Sequence, residues 1–359
     1  MTKSLIAIYK EVNDINDKIL NLINYRISLI NQIMEFKDSV YFDYFDPLLE
    51  QDMLEYLFDK NKGPLSNEVV KEIFSFIFSA SLKHLGVVKE SGLLINSENP
   101  NGFLKIHEIF DLVPGEPIII AGPCSIEKIQ YLESIAIVLK QSGIKFLRGG
   151  AYKPRTSPYE FQGLKEEGLK MLHFIGKKYN LITVSEVVDI RDLEIISKYV
   201  DVIQIGARNM QNFELLKEVG RTRQPVLIKR GISATIQEYI LAAEYIALQG
   251  NRKIILCERG IRTYETKTRN TLDISAIPIL KKETSLPIVV DISHSLGRKD
   301  ITNEIAKAVI AVGADGLMVE VHPYPELALS DSKQQLNLEE FMGLLNTINL
   351  NLKPLKLKA

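Results

Sequence analysis

The sequence predicts an α/β protein: a (β/α)8 barrel preceded by a small all-α module of three helices. Three observations predict it. From Phe103 onward, short β-rich runs alternate with helical segments. Eight such strand–helix units in roughly 240 residues is the count and size of the TIM barrel, and no G-x-G-x-x-G follows the first strand as a dinucleotide-binding sheet would require. Before Phe103 the apolar residues recur only at helical spacing.

Residues 3–38 place Leu5, Ile8, Val12, Ile15, Ile19, Leu22, Leu29 and Ile33 on one stripe, with no proline or glycine. Such a helix is roughly 50 Å long at 1.5 Å per residue, more than a small domain covers, so a second copy of the chain is its expected partner. Arg26 and Lys37 interrupt the stripe. They read either as side chains snorkelling at its edge or as a buried anion site. A second helix opens at Phe45-Asp46-Pro47, with Asp46 as cap and Pro47 at the first position, and runs to about Lys60. Ser66 caps a third that reaches Leu85, with Val69, Ile73, Phe76, Ile77 and Ala80 as its stripe. The expected division is 1–88 for the helical module, 89–103 for a linker, 104–350 for the barrel and 351–359 for a fraying tail.

In the barrel, strands are expected at 117–121, 145–148, 181–185, 201–205, 225–228, 253–257, 286–291 and 316–320. Helices are expected near 127–142, 165–179, 189–198, 211–219, 234–249, 271–283, 300–312 and 338–348. Barrel chemistry sits just after the strands. Those positions read Cys124, Arg148, Glu186, Arg208, Lys229-Arg230, Glu258-Arg259, His294 and Glu320. Polar groups facing one mouth desolvate or repel each other unless a ligand offsets the cost.

The stretch Arg148-Gly149-Gly150-Ala151-Tyr152-Lys153-Pro154-Arg155-Thr156-Ser157-Pro158 is a strand end running into a stiff basic loop. With Arg208, Lys229 and Arg259 it supplies enough cations for two phosphates, or a phosphate and a carboxylate. Cys124, His294, Glu320 and Asp331 make a mixed sulfur, nitrogen and oxygen set suited to a borderline divalent metal. Cys257, His322 and Gly313-Ala314-Asp315-Gly316 read as structural.

Composition narrows the field. The 359 residues suit two domains, the net charge of -1 gives no basic face for nucleic acid, and hydrophobic content is 46%. No apolar run approaches the ~20 residues of a membrane helix, and no secretory signal is visible. With only Cys124 and Cys257, no disulfide framework is expected, and the reducing cytoplasm is the expected location.

The motifs Ala121-Gly122-Pro123-Cys124-Ser125, the Arg148–Pro158 loop, Gln204-Ile205-Gly206-Ala207-Arg208-Asn209, Leu256-Cys257-Glu258-Arg259-Gly260 and Gly316 to Asp331 resemble those of 3-deoxy-D-arabino-heptulosonate 7-phosphate (DAHP) synthases of the short microbial type. The first 90 residues resemble the chorismate mutase domain fused to that synthase in some bacteria. The resemblance implies condensation of phosphoenolpyruvate with erythrose 4-phosphate, at the head of aromatic amino-acid synthesis. It implies metal ligands Cys124, His294, Glu320 and Asp331, with Mn2+ expected first and Fe2+, Co2+ or Zn2+ as alternatives. It implies phosphoenolpyruvate contacts from Arg148, Lys153, Ala207, Arg208, Lys229 and Arg259. Erythrose 4-phosphate contacts would come from Lys153, Pro154, Arg155, Thr156 and Asp331. Lys153 is the candidate proton donor, with Cys124 and His294 as further catalytic candidates.

The helical module keeps the mutase-like positions Arg26, Lys37, Asp46, Glu50 and Ser81, but Tyr9 and Leu49 replace arginines and Leu85 replaces a glutamine. A weak or absent mutase is therefore expected. The module is then left to pair two chains, as a homodimer or within a homotetramer, or to sense chorismate or prephenate. The rival readings are a fully bifunctional enzyme, a Schiff-base aldolase using Lys229, and a non-catalytic metabolite sensor.

Overall fold

The computed structural model describes residues 4–37, 47–84, 93–97, 102–155 and 157–348. Asp46, Leu85, Thr156 and the tail 351–359 lie outside the described residues, as do most of 89–103 and the side chain of Lys37. The chain divides into two compact units, Met1–Leu93 and Leu94–Ala359.

The first unit holds α1 (Leu5–Lys37), α2 (Pro47–Lys60) and α3 (Asn67–His84). Ser66 caps α3, its hydroxyl accepting the Val69 N–H at 3.4 Å. Helix α3 packs against both others and buries Val70 and Phe78. Neither covers the α1 stripe, where Leu5, Ile8, Val12, Ile15, Ile19 and Leu22 stay exposed.

The second unit is built on β1 (Ile118–Gly122), β2 (Phe146–Arg148), β3 (Ile182–Val187), β4 (Val202–Ile205), β5 (Val226–Lys229), β6 (Ile254–Glu258), β7 (Ile288–Asp291) and β8 (Gly316–Glu320). Neighbours pair in parallel and β1 closes on β8, so the sheet is a closed barrel in chain order. The observed strands fall within two residues of the expected ones. Two helices differ more. The expected helix at 271–283 begins at Ala276, because Thr271 is engaged in a bridge to Ile261. The one expected at 189–198 opens as a 3-10 turn, Ile190–Asp192, and becomes α-helical over Leu193–Tyr199.

Alternate strand residues point into the barrel. Ile120, Phe146, Val184, Val202, Leu227, Ile255, Cys257, Val289 and Met318 share its apolar core. Burial there pushes the Cys257 thiol up to about 12, in keeping with a structural cysteine. Two residues further along, the same faces carry Arg148, Glu186, Gln204, Lys229, Asp291 and Glu320. The barrel interior is thus apolar below and charged above.

A short helix, Ile106–Phe110, joins the lower end of this core through Ile106, Ile109 and Phe110, with the Phe110 ring edge-on to Phe146 at 4.8 Å. Five residues carry too little periodicity for the sequence to announce it. Part of the expected linker is also packed. Ile95 is fully buried, and the N–H groups of Leu94 and Ile95 donate to the Glu244 carboxylate at 2.9 and 3.3 Å.

Tyr239, on the helix Ile236–Leu248, clamps two strands from outside. Its buried hydroxyl donates to the Ile228 carbonyl at 2.8 Å and accepts the Cys257 N–H at 2.6 Å. Tyr239→Phe leaves both strand groups without that partner. It is expected to cost about 1–3 kcal/mol of stability, read as a lower urea midpoint at unchanged slope.

Candidate active site

The charged layer is paired internally. Arg148 Nη1 meets Glu320 Oε1 at 2.6 Å, and Lys229 Nζ meets Asp291 Oδ2 at 2.5 Å. Gln204 Nε2 donates to Glu186 Oε2 at 3.1 Å. Burial opposes the charge on Arg148, but Glu320 with Cys124 and Asp291 outweighs it and raises the guanidinium pKa. Breaking one such buried pair costs about 3–5 kcal/mol, because the other charge is left uncompensated. Gly122 lets β1 come close to β2: a Cβ there would lie 2.0 Å from the Arg148 carbonyl oxygen. Gly206 makes room for Glu186 in the same way, since its Cβ would fall 1.9 Å from Glu186 Oε1.

Cys124, His294, Glu320 and Asp331 converge, with one donor atom from each lying within 4.8 Å of the others. Asp291 orients the histidine. It accepts the His294 backbone N–H at 2.9 Å and takes Nδ1 at 2.8 Å. Nε2 then faces Glu320 and Asp331, each at 3.5 Å. Burial lowers the His294 pKa, yet Asp291 and Glu320 outweigh it and hold the imidazole up at about 10. Burial likewise works against an ionised Asp331, but its hydrogen bond to His294 and the nearby Arg269 keep it far below the usual carboxylate range. A thiol, an imidazole nitrogen with its far side fixed, and two carboxylates fit a borderline divalent cation. Lys153 Nζ stands 3.1 Å from Cys124 Sγ and 3.2 Å from the Cys124 carbonyl. Burial pulls its pKa down, whereas Cys124 and Glu186 push it up and prevail.

Above these groups opens a cavity of about 360 Å³, lined in part by Lys153, Pro154, Arg155, Ala207, Arg208, Lys229, Arg259, His294 and Asp331. Among the described residues the Arg259 guanidinium donates to two carbonyls, those of Gly260 and His294. Burial lowers its pKa and outweighs the opposing pull of Asp291. Two donors at the basic loop are buried without a partner among the described residues, Arg148 Nε and Arg155 Nη2. Arg155 Nε is held by the Phe161 carbonyl at 3.1 Å. Arg230 and Glu258, also expected at the mouth, face away from it. Arg230 Nη1 pairs with Glu258 at 2.8 Å and with Asp273 at 2.9 Å, bracing the outside of the barrel.

Four contributors come from loops with no sequence signal. Gln334 Nε2 donates to Glu320 at 2.6 Å and to Asp331 at 3.3 Å, while its Oε1 accepts Arg269 Nη1 at 2.8 Å. Gln335 accepts the Cys124 backbone N–H at 3.0 Å. Arg269 also meets Asp331 at 3.1 Å and lines the cavity beside Arg262.

In the helical unit Arg26 Nη1 donates to Ser81 Oγ at 2.6 Å, and the guanidinium lies 4.8 Å from the Phe78 ring centroid. Burial raises the pKa of Glu50, and Arg26 opposes that shift. Arg26, Glu50 and Ser81 thus come together as expected, beside a mostly apolar pocket of about 360 Å³ walled by Met53, Tyr56, Leu57, Phe74 and Phe78.

Gln334→Leu removes the donor shared by Glu320 and Asp331. Retention of a divalent cation by the full chain is expected to fall about 10-fold or more, measured by competition with a chromophoric chelator.

Residues 113–353 match the DAHP synthetase I family, and residues 8–85 match chorismate mutase type II. A phospho-2-dehydro-3-deoxyheptonate aldolase of Thermotoga maritima is 58% identical over 226 residues, 63% of this chain and 67% of that protein. A solved T. maritima DAHP synthase superposes with a TM-score of 0.68 at 52% identity, covering 71% of this chain and 75% of that one. A 2-dehydro-3-deoxyphosphooctonate aldolase of Geobacter sulfurreducens is more distant, 28% identical over 251 residues, 64% of this chain and 90% of that protein. The chain belongs to the DAHP synthetase I family and is an enzyme of the DAHP synthase class, with a chorismate mutase type II module at its amino-terminal end.

Proposed function

We propose that the barrel condenses phosphoenolpyruvate with erythrose 4-phosphate and water, giving DAHP and phosphate, the first step of the shikimate pathway, in the cytoplasm. The observation that carries this reading is the set of cationic side chains with spare donor atoms beside the four-donor cluster. Among the described residues the Arg259 guanidinium donates to two carbonyls, and Arg148 Nε and Arg155 Nη2 are buried donors without a partner. Lys153, Ala207, Arg208, Lys229 and Arg259, with Arg148 beneath, take the carboxylate and phosphate of phosphoenolpyruvate. Pro154, Arg155 and Thr156 take the phosphate of the sugar, and Asp331 its aldehyde end. Holding two anions in line is chiefly a positioning task.

A divalent cation on Cys124, His294, Glu320 and Asp331, with Mn2+ proposed first and Fe2+, Co2+ or Zn2+ as alternatives, supplies Lewis acidity toward the aldehyde. The enol carbon of phosphoenolpyruvate forms the new bond to the aldehyde carbon, and Lys153 gives its proton to the aldehyde oxygen. Water adds to the carbon bearing phosphate, and phosphate leaves. The Schiff-base alternative is disfavoured because the Lys229 amine is tied to Asp291 at 2.5 Å. A pure metabolite sensor has no use for the four-donor cluster.

Turnover of the two substrates, measured with Mn2+ and with excess chelator, tests this reading. Product is expected only with metal, returning when metal is restored. A full rate in excess chelator, or borohydride trapping of substrate on Lys229, overturns it.

For the helical unit we propose pairing of two chains along the exposed α1 stripe, as a homodimer or within a homotetramer, and sensing of chorismate or prephenate. Tyr9 and Leu49 bring no charge where two cations are needed, and Arg26 is engaged by Ser81. Each missing cation removes ~2–4 kcal/mol of transition-state stabilisation. Chorismate consumption by the full chain is expected to be at least about 1,000-fold below that of an intact mutase, followed by loss of chorismate absorbance.

A further inference from the structure

We propose that a cleft on the amino-terminal face of the barrel is a second binding site, for a small metabolite carrying a carboxylate or phosphate on an apolar body. The cleft has a volume of about 500 Å³. Three segments wall it: Gly102–Leu104, the turn before β5 with Arg223, and the turn before β6 with Gly250, Arg252 and Lys253. It therefore lies at the ends of β5 and β6 opposite the mouth that Lys229 and Arg259 line.

The charge is one-sided. Among the described residues no hydrogen bond or ion pair engages the side chains of Arg223, Arg252 or Lys253. The single acid on the wall, Glu108, has one carboxylate oxygen taken by the Lys105 N–H at 2.7 Å. Three like charges around one concavity repel unless an anion joins them.

The walls are built rather than incidental. Asn251 is buried and ties two of them together. Its Nδ2 donates to the Gln224 carbonyl at 2.8 Å, and its Oδ1 accepts the Lys253 N–H at 2.8 Å. The third is joined through the Leu104 N–H, which donates to the Arg252 carbonyl at 3.1 Å. Arg223 adopts φ +62°, an uncommon backbone for an arginine. Its guanidinium lies directly over Gly250: a Cβ there would come within 2.2 Å of Nη1 and 3.0 Å of Cζ. Gly250, at φ +83°, leaves room for that guanidinium along the cleft. Phe103 and Leu104 give the cleft an apolar wall. Guanidinium forks suit carboxylate or phosphate, and the apolar wall calls for a hydrocarbon or aromatic body on the same molecule.

Calorimetric titration of the full chain with phenyl phosphate, and separately with phenylacetate, tests the site. The mouth also carries cations, so the readout is the difference between the unsubstituted protein and Arg223→Ala/Arg252→Ala, whose mouth is unaltered. At least one probe is expected to show a binding step that weakens about 10-fold or more in the double variant. The probe that binds distinguishes phosphate from carboxylate. Unchanged barrel turnover in the variant shows that it is folded. Identical isotherms for the unsubstituted and substituted proteins, or no binding of either probe, overturn the proposal.

Discussion

The Asp291 carboxylate is the contact on which the site's geometry depends. It ends β7 with no exposure to solvent, so its charge must be met from within. Lys229 meets it from β5, and His294 meets it twice, through its backbone N–H and through Nδ1. Burial disfavours the ionised carboxyl, yet His294 and Lys229 hold its pKa well below the usual range. One side chain thereby aims the imidazole at Glu320 and Asp331 and fixes the lysine, with Oδ2 shared by both. A neutral residue at 291 would release both groups at once.

The wider arrangement follows from the two-residue period of a strand. Six of the eight strands contribute an apolar residue to the core and then a polar one above it. Leu227 precedes Lys229, Val289 precedes Asp291, and Met318 precedes Glu320. The apolar layer lowers the dielectric beneath the charged one, which strengthens both the pairing and the attraction for an incoming anion.

Much of this was legible because parallel barrel strands are apolar runs, so a charge ending one stands out. Arg148, Lys229 and Glu320 announce themselves in that way. The same reasoning misplaces Arg230 and Glu258, although alternation could have separated them: if Lys229 points inward, Arg230 points outward. Gln334, Gln335, Arg262 and Arg269 were illegible, since they arrive on irregular loops where no period ties a residue to a direction. The helix Ile106–Phe110 escaped for want of length, and Arg223 because nothing in a sequence reveals a left-handed backbone at a non-glycine residue.

The helix Ile106–Phe110 packs into the apolar core at the lower end of the barrel, with Phe110 against Phe146. The barrel interior therefore has no back door. Everything that enters the chamber and everything that leaves it passes the same rim, where Arg155 and its loop stand. Were two molecules seated one above the other in such a chamber, as the proposed reaction requires, they would load in sequence. The one resting on the strand ends must arrive before the one resting on the loop, and the upper position must clear before the lower can be refilled.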